Sequence, residues 1–189
     1  MSKDKLVIYA ANPSGFSDGS RAWLRDVLLP KLSDRCFDVI NPWEGVMGMD
    51  APQIRESARK MTHKQAMDVG ESNMRSIERC DVVFAVLDGS DVDSGVAAEI
   101  GYAAAKGKTV IGVRTDHRLA SEVPVCTVNL QVEWFIAQSG GRICDSVDEA
   151  VAQLRGLCVC KAVSDAAAGA FKVTKRGGVR KKPAKDRVS

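Results

Sequence analysis

VVFAVLDGSDVDSGVAAEIGYAAAKGKTVIGV, residues 82–113, holds a strand, a loop, a helix and a second strand in succession. Its opening run, Val82-Val83-Phe84-Ala85-Val86-Leu87, is rich in β-branched residues and has no polar alternation, as in a parallel strand covered on both faces. The run breaks into Asp88-Gly89-Ser90-Asp91-Val92-Asp93-Ser94-Gly95, a loop of acids, small residues and glycines, and then enters an alanine-rich helix carrying Glu99. Lys106-Gly107 ends that helix with a cation and a C-capping glycine. Thr109-Val110-Ile111-Gly112-Val113 follows as the next strand, completing a βαβ unit with Asp88, Asp91 and Asp93 crowded at the carboxyl end of its first strand. Open α/β sheets hold ligands at that end.

Asp93 stands in the loop and Glu99 about one turn into the helix, a spacing that lets both carboxylates face the crevice above the sheet. An acid in a first helical turn ordinarily complements the helix dipole and stays solvated. Glu99, however, is surrounded by Ala97, Ala98, Ile100, Gly101, Tyr102 and Ala103. A carboxylate on so apolar a helix is either strained or used.

Asp93-Ser94-Gly95-Val96-Ala97-Ala98-Glu99-Ile100-Gly101-Tyr102-Ala103, with Gly107-Lys108-Thr109-Val110, resembles the signature of the nucleoside 2-deoxyribosyltransferases. That broader family also includes nucleoside 5′-monophosphate N-glycosidases. The likeness runs from about Leu6 to Gly141 and is most specific over residues 88–108. It implies that Glu99 is the nucleophile attacking the anomeric carbon of the deoxyribose and that Asp93 works on the leaving base. It further implies that Tyr9 hydrogen-bonds the glutamate and that Asn73 contacts the nucleoside. Asn129, with Gln131 two residues on, would reach into a neighbouring subunit's site and bind the sugar 5′-hydroxyl. Asp88 and Gly95 shape the pocket and place backbone donors near the sugar. Val96 stands where the family more often has threonine, Gln131 where some members have methionine, and residues 11–19 depart from the commoner glycine-proline-leucine-phenylalanine loop.

The expected architecture is α/β, a flavodoxin-like three-layer α/β/α sandwich with a mainly parallel five-stranded sheet. The expected activity is transfer of 2-deoxyribose between nucleobases through a covalent deoxyribosyl-glutamate, with retention, in purine salvage. The reaction calls for no cofactor and no metal, and the partners are a small-molecule nucleoside, a nucleobase and further copies of the chain. Two alternatives stay open: a nucleoside 5′-monophosphate N-glycosidase using the same glutamate, and a non-catalytic nucleotide-binding module.

Composition is compatible with these readings. The 189 residues are 45% hydrophobic, which suits one α/β domain with a real core. No apolar run is long enough to span a membrane and no signal peptide precedes the first strand, so the expected location is cytoplasmic. The six cysteines include no C-x-x-C pair, and His63 and His117 lie far apart, a pattern of reduced thiols rather than disulfides or a zinc site. The net charge of +3 hides an asymmetry. Residues 172–189 carry eight Lys or Arg and one Asp, +7, which leaves 19 basic and 23 acidic side chains, −4, on the rest. The expected division is a domain over 1–160 and a basic, disordered tail over 161–189, without the interleaved aromatics of a nucleic-acid binder.

Elsewhere, residues 5–10 read as the first strand and 37–40 as the second. Residues 21–32 read as an amphipathic helix with Trp23, Leu24, Val27 and Leu28 inward. Residues 53–77 read as polar helix broken near Gly70. Phe16 is either a lid over a base or a loop anchor, and Met47 and Met49 either line a pocket or fill gaps. Asn129 N-caps a helix over 130–138, and Ser146-Val147-Asp148-Glu149 opens a last helix reaching about Cys158.

Overall fold

Five strands, β1 (Leu6–Ala11), β2 (Phe37–Ile40), β3 (Val82–Val86), β4 (Thr109–Val113) and β5 (Arg142–Cys144), form one sheet in the order β2-β1-β3-β4-β5. All four pairings are parallel. The computed structural model describes residues 5–176, with side chains to residue 164. The strand order is that of flavodoxin-like folds, whose direction of winding reverses between β1 and β3 and opens a crevice there. β5 is the strand that the sequence reading counted without placing. Its three residues are too few to display a periodicity.

Helices cover both faces. On one side lie α1 (Asp18–Trp23), a π-helical stretch (Leu24–Leu28) and α2 (Leu29–Leu32), which run on from one another, together with α7 (Val147–Arg176). Leu24, Leu28, Leu32, Val151 and Leu154 pack there on Leu6, Ile8, Phe84 and Ile111. The π-helical winding takes more than four residues per turn, so Leu24 and Leu28 share a face and Val27 turns out to solvent, contrary to the inward placement expected of it. α7 continues past Cys158 to Arg176, since 159–176 lacks proline and is rich in alanine. Of the basic tail, residues 177–189 lie outside the described residues.

On the other side lie α4 (His63–Arg79), α5 (Ser94–Ala105) and α6 (Leu130–Gln138), whose Ile77, Val96, Ile100, Val132 and Ile136 pack on Tyr9, Val83, Ala85 and Val110. The helix expected over 53–77 is two helices, α3 (Ala51–Lys60) and α4, and the break falls at Met61-Thr62 rather than at Gly70. Asp50 with Gln53 and Thr62 with Gln65 each form a capping box, so two helix starts stand twelve residues apart. Gly70 continues inside α4. All six cysteines are free thiols. Among the described residues no helix is long and apolar enough to cross a membrane.

Candidate active site

Because strand side chains alternate, Tyr9 emerges from β1 on the α5 side while Ile8 and Ala10 enter the opposite core. Its ring is fully buried, and its hydroxyl donates to Glu99 Oε1 at 2.6 Å. Asn73 Nδ2, from α4, reaches the same oxygen at 3.5 Å. Burial raises the Glu99 carboxyl above the ordinary glutamate range, opposed by the Tyr9 hydrogen bond and reinforced by the negative charge of Asp93. Burial also raises the Tyr9 phenol, as does Glu99 beside it, so the hydroxyl stays a donor.

Asp93 is the N-cap of α5. Its Oδ1 accepts from the N–H groups of Gly95 at 2.9 Å and Val96 at 3.1 Å, which uses one oxygen for the helix terminus. Gly95 allows this approach, since a Cβ there would stand 3.1 Å from that oxygen. Asp93 and Glu99 both line a cavity of about 310 Å³ together with Asn12, Phe16, Pro42, Trp43, Val69, Asn73, Gly95 and Val96.

One wall of the cavity is aromatic. Trp43 donates its indole N–H to the Asn12 carbonyl at 2.8 Å, and Phe16 meets Trp43 edge to face at a centroid distance of 4.8 Å. Gly15 makes room for the indole, because a Cβ there would fall 2.0 Å from the ring. Asn12 shapes the loop by donating to the Ala10 carbonyl and accepting from the Ser14 N–H. Phe16, at 74% exposure, anchors the loop to Trp43 and also borders the cavity. Met47 packs on the core and neither it nor Met49 reaches this cavity.

The structure thus brings together Tyr9, Asn73, Asp93, Gly95 and Glu99. Asp88 stands apart from the cavity, where its carboxylate accepts from the Thr115 N–H at 2.5 Å, the Thr115 hydroxyl at 2.6 Å and the Asp116 N–H at 2.9 Å. The buried Arg114 braces the same junction in return, donating to the carbonyls of Leu87, Gly89 and Arg118. Asn129 caps α6 through the N–H groups of Gln131 and Val132 and donates to Glu122 at 3.0 Å; Gln131 is exposed beside it. Neither borders the Glu99 cavity. Asn12, Trp43 and Val69 are cavity residues to which the sequence reading assigned no role there. The signal for Trp43 was its place directly after a strand end, in Asn41-Pro42-Trp43-Glu44.

Residues 8–159 match the sequence profile described as Nucleoside 2-deoxyribosyltransferase. The chain belongs to that family. Over 101 residues it is 31% identical to the uncharacterized protein C191.05c of Schizosaccharomyces pombe (strain 972 / ATCC 24843), covering 50% of this chain and 46% of that protein, so the match spans about half of the relative's length. A conserved protein from Enterococcus faecalis V583 superposes with a TM-score of 0.60 at 24% identity, over 80% of this chain and 98% of that one. A 2-desoxiribosyltransferase from Leishmania mexicana does so with a TM-score of 0.55 at 22% identity, over 78% and 95%. At these identities the structural likeness speaks for the fold alone.

Proposed function

We propose that the protein is a nucleoside 2-deoxyribosyltransferase acting by double displacement. The observation that carries this reading is the Tyr9–Glu99 pair at 2.6 Å, whose glutamate stands in the wall of a nucleobase-sized cavity that also holds Asp93 and an aromatic flank. Glu99, ionised, attacks C1′ of a 2′-deoxynucleoside, and the C1′–N bond breaks as Asp93 delivers a proton to the departing base. The resulting glycosyl ester on Glu99 is then attacked by a ring nitrogen of a second base. Asp93 takes that nitrogen's proton, the ester oxygen leaves, and two inversions give net retention.

Each residue has a part that its geometry suits. Tyr9 and Asn73 donate to the oxygen that must alternate between carboxylate and ester, and fix its rotamer. Asp93 is held against the helix terminus through Oδ1 while Oδ2 takes no partner among the described residues. Phe16 and Trp43 offer the base a stacking edge. The region around Asn129, which the resemblance assigns to the 5′ end of a sugar in a neighbouring subunit, is acidic, since Asp91 and Glu122 line the same shallow depression. That charge favours a 5′-hydroxyl over a 5′-phosphate, and so a nucleoside over a nucleotide.

The test is incubation with deoxyinosine and free adenine, for the protein and its Glu99→Ala variant, with chromatographic separation of products. Deoxyadenosine formed by the unmodified protein alone is the expected result. Hypoxanthine released without deoxyadenosine would mean hydrolysis, and no turnover of deoxynucleosides or deoxynucleotides would leave only a binding role.

A further inference from the structure

Beside the Glu99 cavity lies a second one of about 620 Å³, larger than its neighbour of about 310 Å³. It opens between the end of β2 and the C-terminal half of α4, and Pro42 and Asn73 form walls of both. Tyr9, whose hydroxyl holds Glu99, lines it as well. Pro42 and Asn73 are therefore the side chains that stand between a ligand seated against Glu99 and this second cavity.

The lining is polar and unsatisfied. Asp38, Glu44 and Arg79 contribute charges, and none of them enters an ion pair among the described residues. Asn41 is 8% exposed; its Oδ1 accepts the Trp43 backbone N–H at 3.1 Å, and its buried Nδ2 has no partner among the described residues. Nδ2 is closed off from the cavity as well as from solvent, so Asn41 shapes the wall, and the charged side chains of Asp38, Glu44 and Arg79 are what a ligand there would meet. Two carboxylates against one guanidinium leave the cavity with a net negative charge, which suits a hydroxyl or amino group and opposes an anion.

We propose that this second cavity extends the nucleobase site and receives the exocyclic substituent of a modified purine, one bearing a neutral hydroxyl or a cationic amino group rather than an anionic group. The inference rests on the reading of the Glu99 cavity as a base site. It makes the substrate class substituted nucleobases, with Asp38 and Glu44 as the residues that select among substituents.

Equilibrium binding tests this without requiring turnover. Titration calorimetry of the full chain would compare adenine, N6-(2-aminoethyl)adenine and N6-(carboxymethyl)adenine. The aminoethyl base should bind about ten-fold tighter than adenine, the scale of one charge-assisted hydrogen bond, and the carboxymethyl base more weakly than adenine. Ser72→Trp, at an exposed helix position bordering the cavity, should abolish the aminoethyl advantage by filling the space. Glu44→Lys, at an exposed turn, should reverse the ranking of the amino and carboxyl substituents. Equal affinities for the three bases, or a ranking that neither variant moves, overturns the extension while adenine binding leaves the base site standing. Failure of all three to bind overturns both.

Discussion

On one face of the sheet α1, α2 and α7 close over Leu6, Ile8, Phe84 and Ile111 with leucines, valines and alanines. On the other, α4, α5 and α6 close over the same strands less completely. α4 buries only Ser76 and Ile77, α3 buries nothing, and cavities open where these helices stand off β1 and β2. The closed face is where burial of apolar surface secures the fold; the open face spends some of that security on a partly buried carboxylate and a buried phenol. Substitutions on the two faces should therefore separate stability from activity.

The largest effect is expected from Glu99→Gln. Loss of the nucleophile should lower transfer by about a thousand-fold or more. The same change should raise the melting temperature. Burial holds the folded Glu99 carboxyl above its ordinary range, so in the wild type stability falls as pH rises from the ordinary glutamate range through the raised folded value. Glutamine keeps an oxygen for the Tyr9 hydroxyl and carries no charge to desolvate. Thermal unfolding followed across pH should show the two proteins alike in acid and the variant more stable at neutral pH. A variant no more stable at neutral pH would erase the contrast between the faces.

The converse experiment is Leu154→Ala on α7, a fully buried position in the closed core. A cavity left there should cost about 2–5 kcal/mol in denaturant unfolding. At temperatures where the variant stays folded, its kcat should match that of the unmodified protein. A drop in kcat per folded molecule would show that the closed face also tunes the site.

The same division governs what could be read from the chain. The β3–α5–β4 unit was legible because its signals are local: an unbroken apolar strand, a loop of acids and glycines, and a helix ended by Gly107 at positive φ. Asp93 and Glu99 fall in that unit, and Tyr9 lies on the strand that pairs beside it. The cavity walls were not legible. Trp43 reaches the site through a hydrogen bond to Asn12, distant in sequence, and through the space left by Gly15, neither of which has a periodicity. Val27 was misplaced because a π-helical winding departs from the 3.6-residue turn on which amphipathic readings rest. The break between α3 and α4 is written in the Thr62–Gln65 capping box, while Gly70 is accommodated inside α4.

Within the open face, Asp93 joins a structural duty to a chemical one, and two substitutions should divide them. Asp93→Asn keeps an oxygen for the N–H groups of Gly95 and Val96 and removes the acid, so transfer should fall about a hundred-fold with the melting temperature little changed. Asp93→Ala removes both and should add a stability loss of about 1 kcal/mol. Full activity in Asp93→Asn, with activity lost only in Asp93→Ala and in step with its stability, would make Asp93 a helix cap and nothing more.

The smallest effect, and the one that looks most closely at how the open face sets the charge of its carboxylate, is that of Tyr9→Phe. The ring stays packed on the α5 side, so stability should change little beyond the loss of one hydrogen bond. What changes is the charge balance at Glu99. The Tyr9 hydroxyl is the contact that lowers the Glu99 carboxyl against the raising effects of burial and of Asp93. Without it the carboxyl rises further, and a nucleophile that must be ionised is lost at a higher pH as the solution is acidified. The acid limb of the kcat/KM profile should move to higher pH while the plateau above it falls only modestly. An unmoved acid limb would mean that Tyr9 orients Glu99 without setting its charge; a limb that moved to lower pH would mean that Glu99 is not the group whose ionisation the reaction needs.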